Sequence, residues 1–409
     1  MSPTSYPKEK IKILLLEGIH PAAVKLFKEY GYTSVDTSAA SMSEAELLKV
    51  VDNYHLIGIR SKTKLTKPVI EQAKKLLSIG CFCIGTNQVD MNFATSSGVA
   101  VFNSPYSNTR SVAELVIGEC IMLMRKIFEK NEAAHRGEWK KESKGCYEVR
   151  GKTLGIIGYG HIGSQVSVLA EALGMKVVFY DVVPKMALGN AQAVKSLDDL
   201  LTHADMVTLH VPQLASTKNL INADCIKKMK TGAVLINCAR GNVVDIKSIC
   251  KALREKKIAG YAADVFPEEP ESNNDKFVSE LQGMSNVILT PHIGGSTIEA
   301  QENIGIDVAT KMLAFLETGS SVGSLTVPDL SLPVIYNTHR LLHIHKNVPG
   351  VLSEINSFMS QHNVNILGQY LKTNEKIGYV VLDVDKKTSL KAIDTMKNVK
   401  GTIKVRSLY

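Results

Sequence analysis

The chain has 409 residues, enough for two or three domains of ordinary size, so a single small module does not account for it. Hydrophobic residues make up 44% and charged residues 22%, which is ordinary globular usage and excludes wholesale disorder, collagen and low-complexity assembly. Lysine and arginine (48) outnumber aspartate and glutamate (40); the formal charge of +8 suits an anionic small molecule, and basic residues scattered along the chain, clustered no further than pairs such as Lys140-Lys141, Lys227-Lys228 and Lys256-Lys257, argue against nucleic acid.

From the N-terminus, Lys12–Glu17, Thr33–Asp36, Leu56–Arg60, Ile79–Ile84 and Val99–Phe102 read as strands with amphipathic stretches between them. Such alternation predicts a parallel sheet covered on both faces. Val112, Leu115, Val116, Glu119 and Leu123 are spaced for a long helix over Thr109–Arg136, opened by Asn108 and crossing to a second domain. A second series follows, with strands Thr153–Ile157, Lys176–Tyr180, Met206–Val211, Ala233–Cys238, Ala259–Val265 and Val287–Thr290. Six strands with helices between them make a complete dinucleotide-binding sheet. Thr297–Thr318 is periodic enough to be one helix returning to the first domain, and the Gly-, Ser- and Pro-rich stretch Thr318–Pro333 reads as a linker.

The last segment reads as strand Arg340–His345, helix Gly350–His362, strands Asn365–Leu371 and Gly378–Asp385, helix Ser389–Val399 and strand Thr402–Leu408. That β-α-β-β-α-β order is the ferredoxin-like one. No apolar stretch approaches the roughly 18 to 20 residues of a spanning helix, and Ile11–Leu16 is interrupted by Lys12, so a cytoplasmic protein with no membrane partner is expected. The seven cysteines form no Cys-x-x-Cys pair; reduced, buried thiols and no metal site are expected, with Cys81 and Cys83 on one side of a strand.

The chemistry begins at Gly158-Tyr159-Gly160-His161-Ile162-Gly163, which follows an apolar strand and opens a helix. Gly158 makes the tight turn, Gly160 lets backbone approach a pyrophosphate at a helix start, and Gly163 lets helix and strand pack closely. Asp181 ends the next strand, where a carboxylate accepts from both ribose hydroxyls and repels a 2′-phosphate, so NAD is expected over NADP. Arg240, in Asn237-Cys238-Ala239-Arg240-Gly241, leaves a strand with a fork of donors suited to an α-hydroxy carboxylate. His292 leaves another in Thr290-Pro291-His292-Ile293-Gly294-Gly295 and can exchange a proton with a hydroxyl near neutral pH. Glu268 and Glu269, in a loop stiffened by Pro267 and Pro270, compete to be the carboxylate beside it.

Together Gly158–Gly163 with Asp181, Asn237–Gly241, Asp264–Pro270 and Thr290–Gly295 resemble the signature of the NAD-dependent D-2-hydroxyacid dehydrogenases, in the branch that oxidises a phosphorylated three-carbon acid and ends in an ACT regulatory domain. The resemblance runs from about residue 10 to the C-terminus. It implies a substrate domain over 1–107 and 296–327, flavodoxin-like and doubly wound, a Rossmann NAD domain over 108–295, and a ferredoxin-like ACT domain over 337–409. It also implies a catalytic set of Arg240, Glu269 and His292, with Glu269 chosen over Glu268 because it stands directly before the second proline. Cofactor contacts are implied at Gly158, Gly160, His161, Ile162, Gly163, Asp181, Cys238, Ala239, Arg240, Asp264, His292, Gly294 and Gly295.

For the substrate the resemblance points to Arg60 and Ser61 with Asn108 and Arg110, a cationic fork with hydroxyl and amide donors that suits a phosphate. The reaction implied is the first oxidation of serine biosynthesis, fed back upon by L-serine at His345, Asn347 and Asn365. Another D-2-hydroxy acid, such as glycerate, lactate or 2-hydroxyglutarate, is the alternative substrate; a co-repressor-like protein that senses NAD is the alternative of another class. Trp139, in the polar stretch Arg136–Lys144, is expected at a contact of a homo-oligomer, a tetramer before a dimer. Gly294-Gly295 and Gly319–Gly323 are expected as hinges.

Overall fold

The computed structural model describes residues 6–270, 274–335, 337–386 and 396–408. They fall into two compact units, Met1–Ser107 with Gln301–Tyr409, and Asn108–Ala300.

The first unit opens with strands β1 (Ile13–Leu15), β2 (Val35–Thr37), β3 (Leu56–Ile59), β4 (Ser78–Cys81) and β5 (Ala100–Asn103), all parallel in the order β2-β1-β3-β4-β5. This is the flavodoxin-like order. β3 and β4 are buried on both faces, and their Leu, Ile and Cys side chains feed apolar clusters on either side.

The second unit carries β6 (Thr153–Ile157), β7 (Lys176–Tyr180), β8 (Gln192–Ala193), β9 (Met206–Leu209), β10 (Ala233–Asn237), β11 (Ile258–Ala263) and β12 (Val287–Leu289), parallel in the order β12-β11-β10-β9-β6-β7-β8. The order reverses between β6 and β9, and ligands of such sheets bind beyond the carboxyl ends of the strands at that point. The sheet has seven strands where the sequence pattern gave six: two exposed residues of β8 carry no periodicity. The helix expected over Thr109–Arg136 is two, Thr109–Arg125 and Ile127–His135, parted at Lys126 by left-handed backbone at φ 50°. A helix cannot continue through that conformation.

Helix Ile298–Glu317 runs into the stretch expected to be a loose linker. That stretch is strapped down instead: Thr326 Oγ1 donates to Val99 O at 2.7 Å and accepts from Val101 N at 2.9 Å, and Ser321 Oγ donates to Pro328 O at 2.6 Å. Serine and threonine that look like linker composition act here as backbone partners. Then β13 (Thr338–Lys346), helix Val351–Gln361, β14 (Ile366–Thr373), β15 (Ile377–Asp385) and β16 (Thr402–Leu408) build an antiparallel sheet in the order β14-β15-β13-β16. Most of the helix expected over Ser389–Val399 lies outside the described residues. Leu342, Ile344, Tyr379 and Val381 of this sheet share a buried cluster with Phe102, Met312 and Phe315 of the same unit. Inside it Arg340 grips Asp383 at 2.7 and 2.9 Å, both fully buried, and also donates to Thr318 O and Pro333 O. No helix among the described residues is long and apolar enough to cross a membrane.

Candidate active site

The turn after β6 is shaped by what its glycines exclude. Gly158 has φ 92°, and a Cβ there would sit 2.4 Å from His210 O; one on Gly163 would sit 2.2 Å from Gly158 O. A Cβ on Gly160 would meet nothing within 4 Å, so that glycine borders open space at the start of helix His161–Ala172, which has no side-chain cap. Close packing behind and an open face at a helix N-terminus form a cradle that fits a dinucleotide phosphate. Asp181 completes it: Oδ2 accepts from Tyr159 N at 2.8 Å and Oδ1 from Val183 N at 2.9 Å, which fixes the carboxylate while each oxygen keeps a lone pair for a ribose hydroxyl.

Beyond β10 the chain turns on Asn237, fully buried, whose Oδ1 accepts from Ala239 N and whose Nδ2 donates to Arg240 O, each at 3.1 Å. A Cβ on Gly241 would lie 1.9 Å from the backbone carbon of Phe266, so only glycine lets the Arg240 loop lie against the loop after β11. That second loop carries Glu269, whose Oε1 accepts from Phe266 N at 3.0 Å. Its Oε2 lies 2.8 Å from Nδ1 of His292, which follows β12 with φ 54°. Glu269, and not Glu268, is therefore the carboxylate at the imidazole.

Asp264 holds this arrangement together. It is 1% exposed, and its Oδ1 accepts from Thr290 Oγ1 (2.6 Å) and Ile293 N (2.8 Å) while Oδ2 accepts from Gly294 N (2.8 Å). These bonds pin both sides of His292 in its left-handed conformation. The hydrogen bond that His292 donates to Glu269 raises the His292 pKa above its usual value against the opposing effect of burial, with the charges of Glu269 and Asp264 adding to the rise and that of Arg240 opposing it. Burial pushes Glu269 upward, but the bonds from His292 and from Phe266 N outweigh it and hold the carboxyl below its usual range. The two groups thus stabilise each other's charged form, as an acid-base histidine and its orienting carboxylate require.

The remaining expected residues fall in three places. In the second unit Asn108 stands at the start of helix Thr109–Arg125 without capping it, packed where a Cβ on Gly295 would meet its Nδ2 at 2.6 Å, with Oδ1 buried and unpartnered. Arg110 is exposed and paired with Glu114 at 2.6 Å. In the first unit Arg60 and Ser61 leave β3, with Arg60 Nη1 donating to Glu17 O at 3.5 Å. In the C-terminal sheet His345 and Asn347 lie where β13 pairs with Gly378 and Ile377 of β15, and Asn347 Nδ2 donates to Asn374 O at 2.8 Å. Asn365 lies at the opposite end, where its carbonyl accepts from Asp385 N and Asp385 faces Thr338. One chain does not bring these three together.

Two polar residues of the second unit were placed by the sequence but given no task by it. Asn237 reads as a strand residue. Glu119 sits in the apolar stripe of its helix, fully buried, with Oε2 accepting from Cys238 Sγ at 3.3 Å and Oε1 unpartnered; burial pushes its carboxyl up to about 8. A carboxylate at a stripe position was the available signal.

Comparison with known proteins agrees with this geometry. The profile of the family "D-isomer specific 2-hydroxyacid dehydrogenase, NAD binding domain" matches residues 117–294, and that of the "AHAS small subunit-like ACT domain" matches 341–404. The chain is 52% identical over 99% of both lengths to the D-3-phosphoglycerate dehydrogenase of Haemophilus influenzae, and 51% identical over the full length of both to that of Escherichia coli K12. Among solved structures, the D-lactate dehydrogenase of Aquifex aeolicus, complexed with NAD and lactic acid, is 28% identical with a TM-score of 0.66, covering 78% of this chain and all of that one.

Proposed function

Because the chain belongs to the D-isomer specific 2-hydroxyacid dehydrogenases, we propose that it oxidises 3-phospho-D-glycerate to 3-phosphohydroxypyruvate with NAD, the first step of serine biosynthesis. The observation that carries the chemistry is the 2.8 Å pair of His292 Nδ1 and Glu269 Oε2 beyond the carboxyl ends of β11 and β12. End-to-end likeness to D-3-phosphoglycerate dehydrogenases at about half identity supports the choice of substrate.

Glu269 accepts the Nδ1 proton of His292, so Nε2 is left to take the substrate's C2 hydroxyl proton. The imidazolium that forms is stabilised by the same carboxylate, and in the reverse direction it returns the proton to the carbonyl oxygen. Arg240, held by Asn237, binds the substrate carboxylate and opposes negative charge at the oxygen. The Gly158–Gly163 turn and Asp181 would hold the cofactor, with Cys238, Ala239, Gly294 and Gly295 as its further contacts. Bound there, NAD would supply the acceptor for the hydride that leaves C2.

Arg60 and Ser61 contact the phosphate; Arg110, already committed to Glu114, is the weaker candidate. L-serine acts as effector at His345 and Asn347, with Asn365 supplied by a second copy of the chain, since one sheet keeps it at the far end. Trp139 is 88% exposed, which suits a contact within a homo-oligomer.

Oxidation of NADH with 3-phosphohydroxypyruvate, hydroxypyruvate and 2-oxoglutarate, each with and without L-serine, tests this. Fastest turnover of the phosphorylated acid, suppressed by serine, is expected. Preference for either other acid would replace the substrate, and no turnover of any would favour an NAD-sensing binding protein.

A further inference from the structure

One buried carboxylate of the first unit has no part in the chemistry above. Glu17 lies just past β1 and is 9% exposed, with φ 64°, left-handed backbone that a non-glycine residue keeps only where its surroundings impose it. Here they do: Glu17 N donates to Ala40 O at 3.2 Å, and Gly18 N, itself at φ 62°, donates to Ser38 O at 3.0 Å. So turned, the side chain enters the loop that leaves β3. Its Oε1 accepts from Thr63 N at 2.8 Å and Arg60 N at 3.2 Å, and its Oε2 accepts from Lys62 N at 3.0 Å. From the other side Gln88 Nε2 donates to Arg60 O at 2.7 Å.

Three of the four N–H groups from Arg60 to Thr63 therefore converge on one carboxylate. The fourth belongs to Ser61, which is exposed and, among the described residues, makes no hydrogen bond through its N–H or its hydroxyl. A carboxylate beside a site for an anion is unexpected, but bonds to three donors spend its charge locally, and such charge-assisted bonds are the strong ones.

We propose that Glu17 is a positioning residue for substrate recognition: by gathering the N–H groups of Arg60, Lys62 and Thr63 it holds the loop in the form that leaves Ser61 and the Arg60 guanidinium to meet an anionic group of the substrate. This rests on the reading that Arg60 and Ser61 contact the phosphate. Glu17→Gln keeps the shape but sets an amide N–H against backbone donors, so at least one bond is lost and the loop is released.

The test is steady-state kinetics of the full chain, wild type, Glu17→Gln and Glu17→Asp, with 3-phosphohydroxypyruvate, hydroxypyruvate and NADH varied in turn. Glu17→Gln should raise KM for the phosphorylated acid by about tenfold or more, with kcat and the KM for NADH nearly unchanged and the KM for hydroxypyruvate moved much less. Glu17→Asp, one methylene shorter, should fall between and also serves if the glutamine variant does not fold. An unchanged KM for the phosphorylated acid, or an equal rise in KM for both acids and NADH, would overturn the proposal. If the wild type prefers hydroxypyruvate, the phosphate reading fails by itself; Glu17 then stands or falls on whether its replacement raises KM for the acid that is turned over.

Discussion

At His292 the ring Nδ1 meets the carboxylate of Glu269 at 2.8 Å, whereas Nδ1 of His343 meets only another imidazole, the Nδ1 of His345, at 3.3 Å. The first ring stays partly open to solvent and its pKa is raised. The second is fully buried, and burial, with the neighbouring ring, pulls it down to about 4. Two protonated rings in that pair would set N–H against N–H, and burial disfavours charge on either ring, whereas the carboxylate beside His292 favours it. Histidine's task is thus set by its neighbour: a carboxylate makes a proton carrier, and a second imidazole makes a neutral hydrogen-bonding element.

Breaking the first site should have the largest effect. His292→Asn is expected to cut turnover by about 10² or more while NADH still binds, checked by stopped-flow and fluorescence titration; undiminished turnover removes His292 from its role. Acidification tests the second site. Because the folded pKa of His343 lies below its unfolded value near 6.5, the unfolded chain binds the proton first, and stability is lost as pH falls from 6.5 towards 4. By pH 5 the loss is about 2 kcal/mol, and His343→Asn should flatten the difference between urea unfolding midpoints at pH 7 and pH 5. A midpoint as pH-sensitive in the variant as in wild type would contradict this.

Asp181 sharpens the contrast, as a carboxylate that grips backbone and not a ring. Asp181→Ala should shrink the preference for NAD over NADP by about tenfold without moving the pH profile; an unchanged preference would mean the ribose is read elsewhere. Trp139→Ala should leave both histidine sites alone and lower the assembly state on gel filtration, and elution identical to wild type counts against its place at a contact.

Much of this was legible because strand, glycine turn and helix follow one another in the sequence, as from Thr153 to Ala172. The histidine and its loop were legible too, since Pro267, Pro270 and Pro291 mark loops that leave strands. Adjacent Glu268 and Glu269 were not separable by residue chemistry alone; the resemblance chose Glu269 by its place before Pro270, and the loop's path brings that residue to 2.8 Å from His292. Glu17 was invisible for a different reason: its partners lie more than forty residues on, and nothing local signals a left-handed glutamate. β8 was missed because two exposed residues have no period, and the break at Lys126 because its neighbours continue the helical pattern on either side.

The pairing of His292 with Glu269 is tested most directly by the pH dependence of kcat/KM for reduction of 3-phosphohydroxypyruvate, in wild type and Glu269→Gln. Reduction needs a protonated His292, so the rate falls as pH rises through its pKa, which the Glu269 hydrogen bond has raised. Without that carboxylate the main influence that raises the ring is gone, while burial and the Arg240 charge still oppose its protonation, and the falling limb should move to lower pH, with a lower maximum. A limb that stays where it is in Glu269→Gln would show that another group carries the proton.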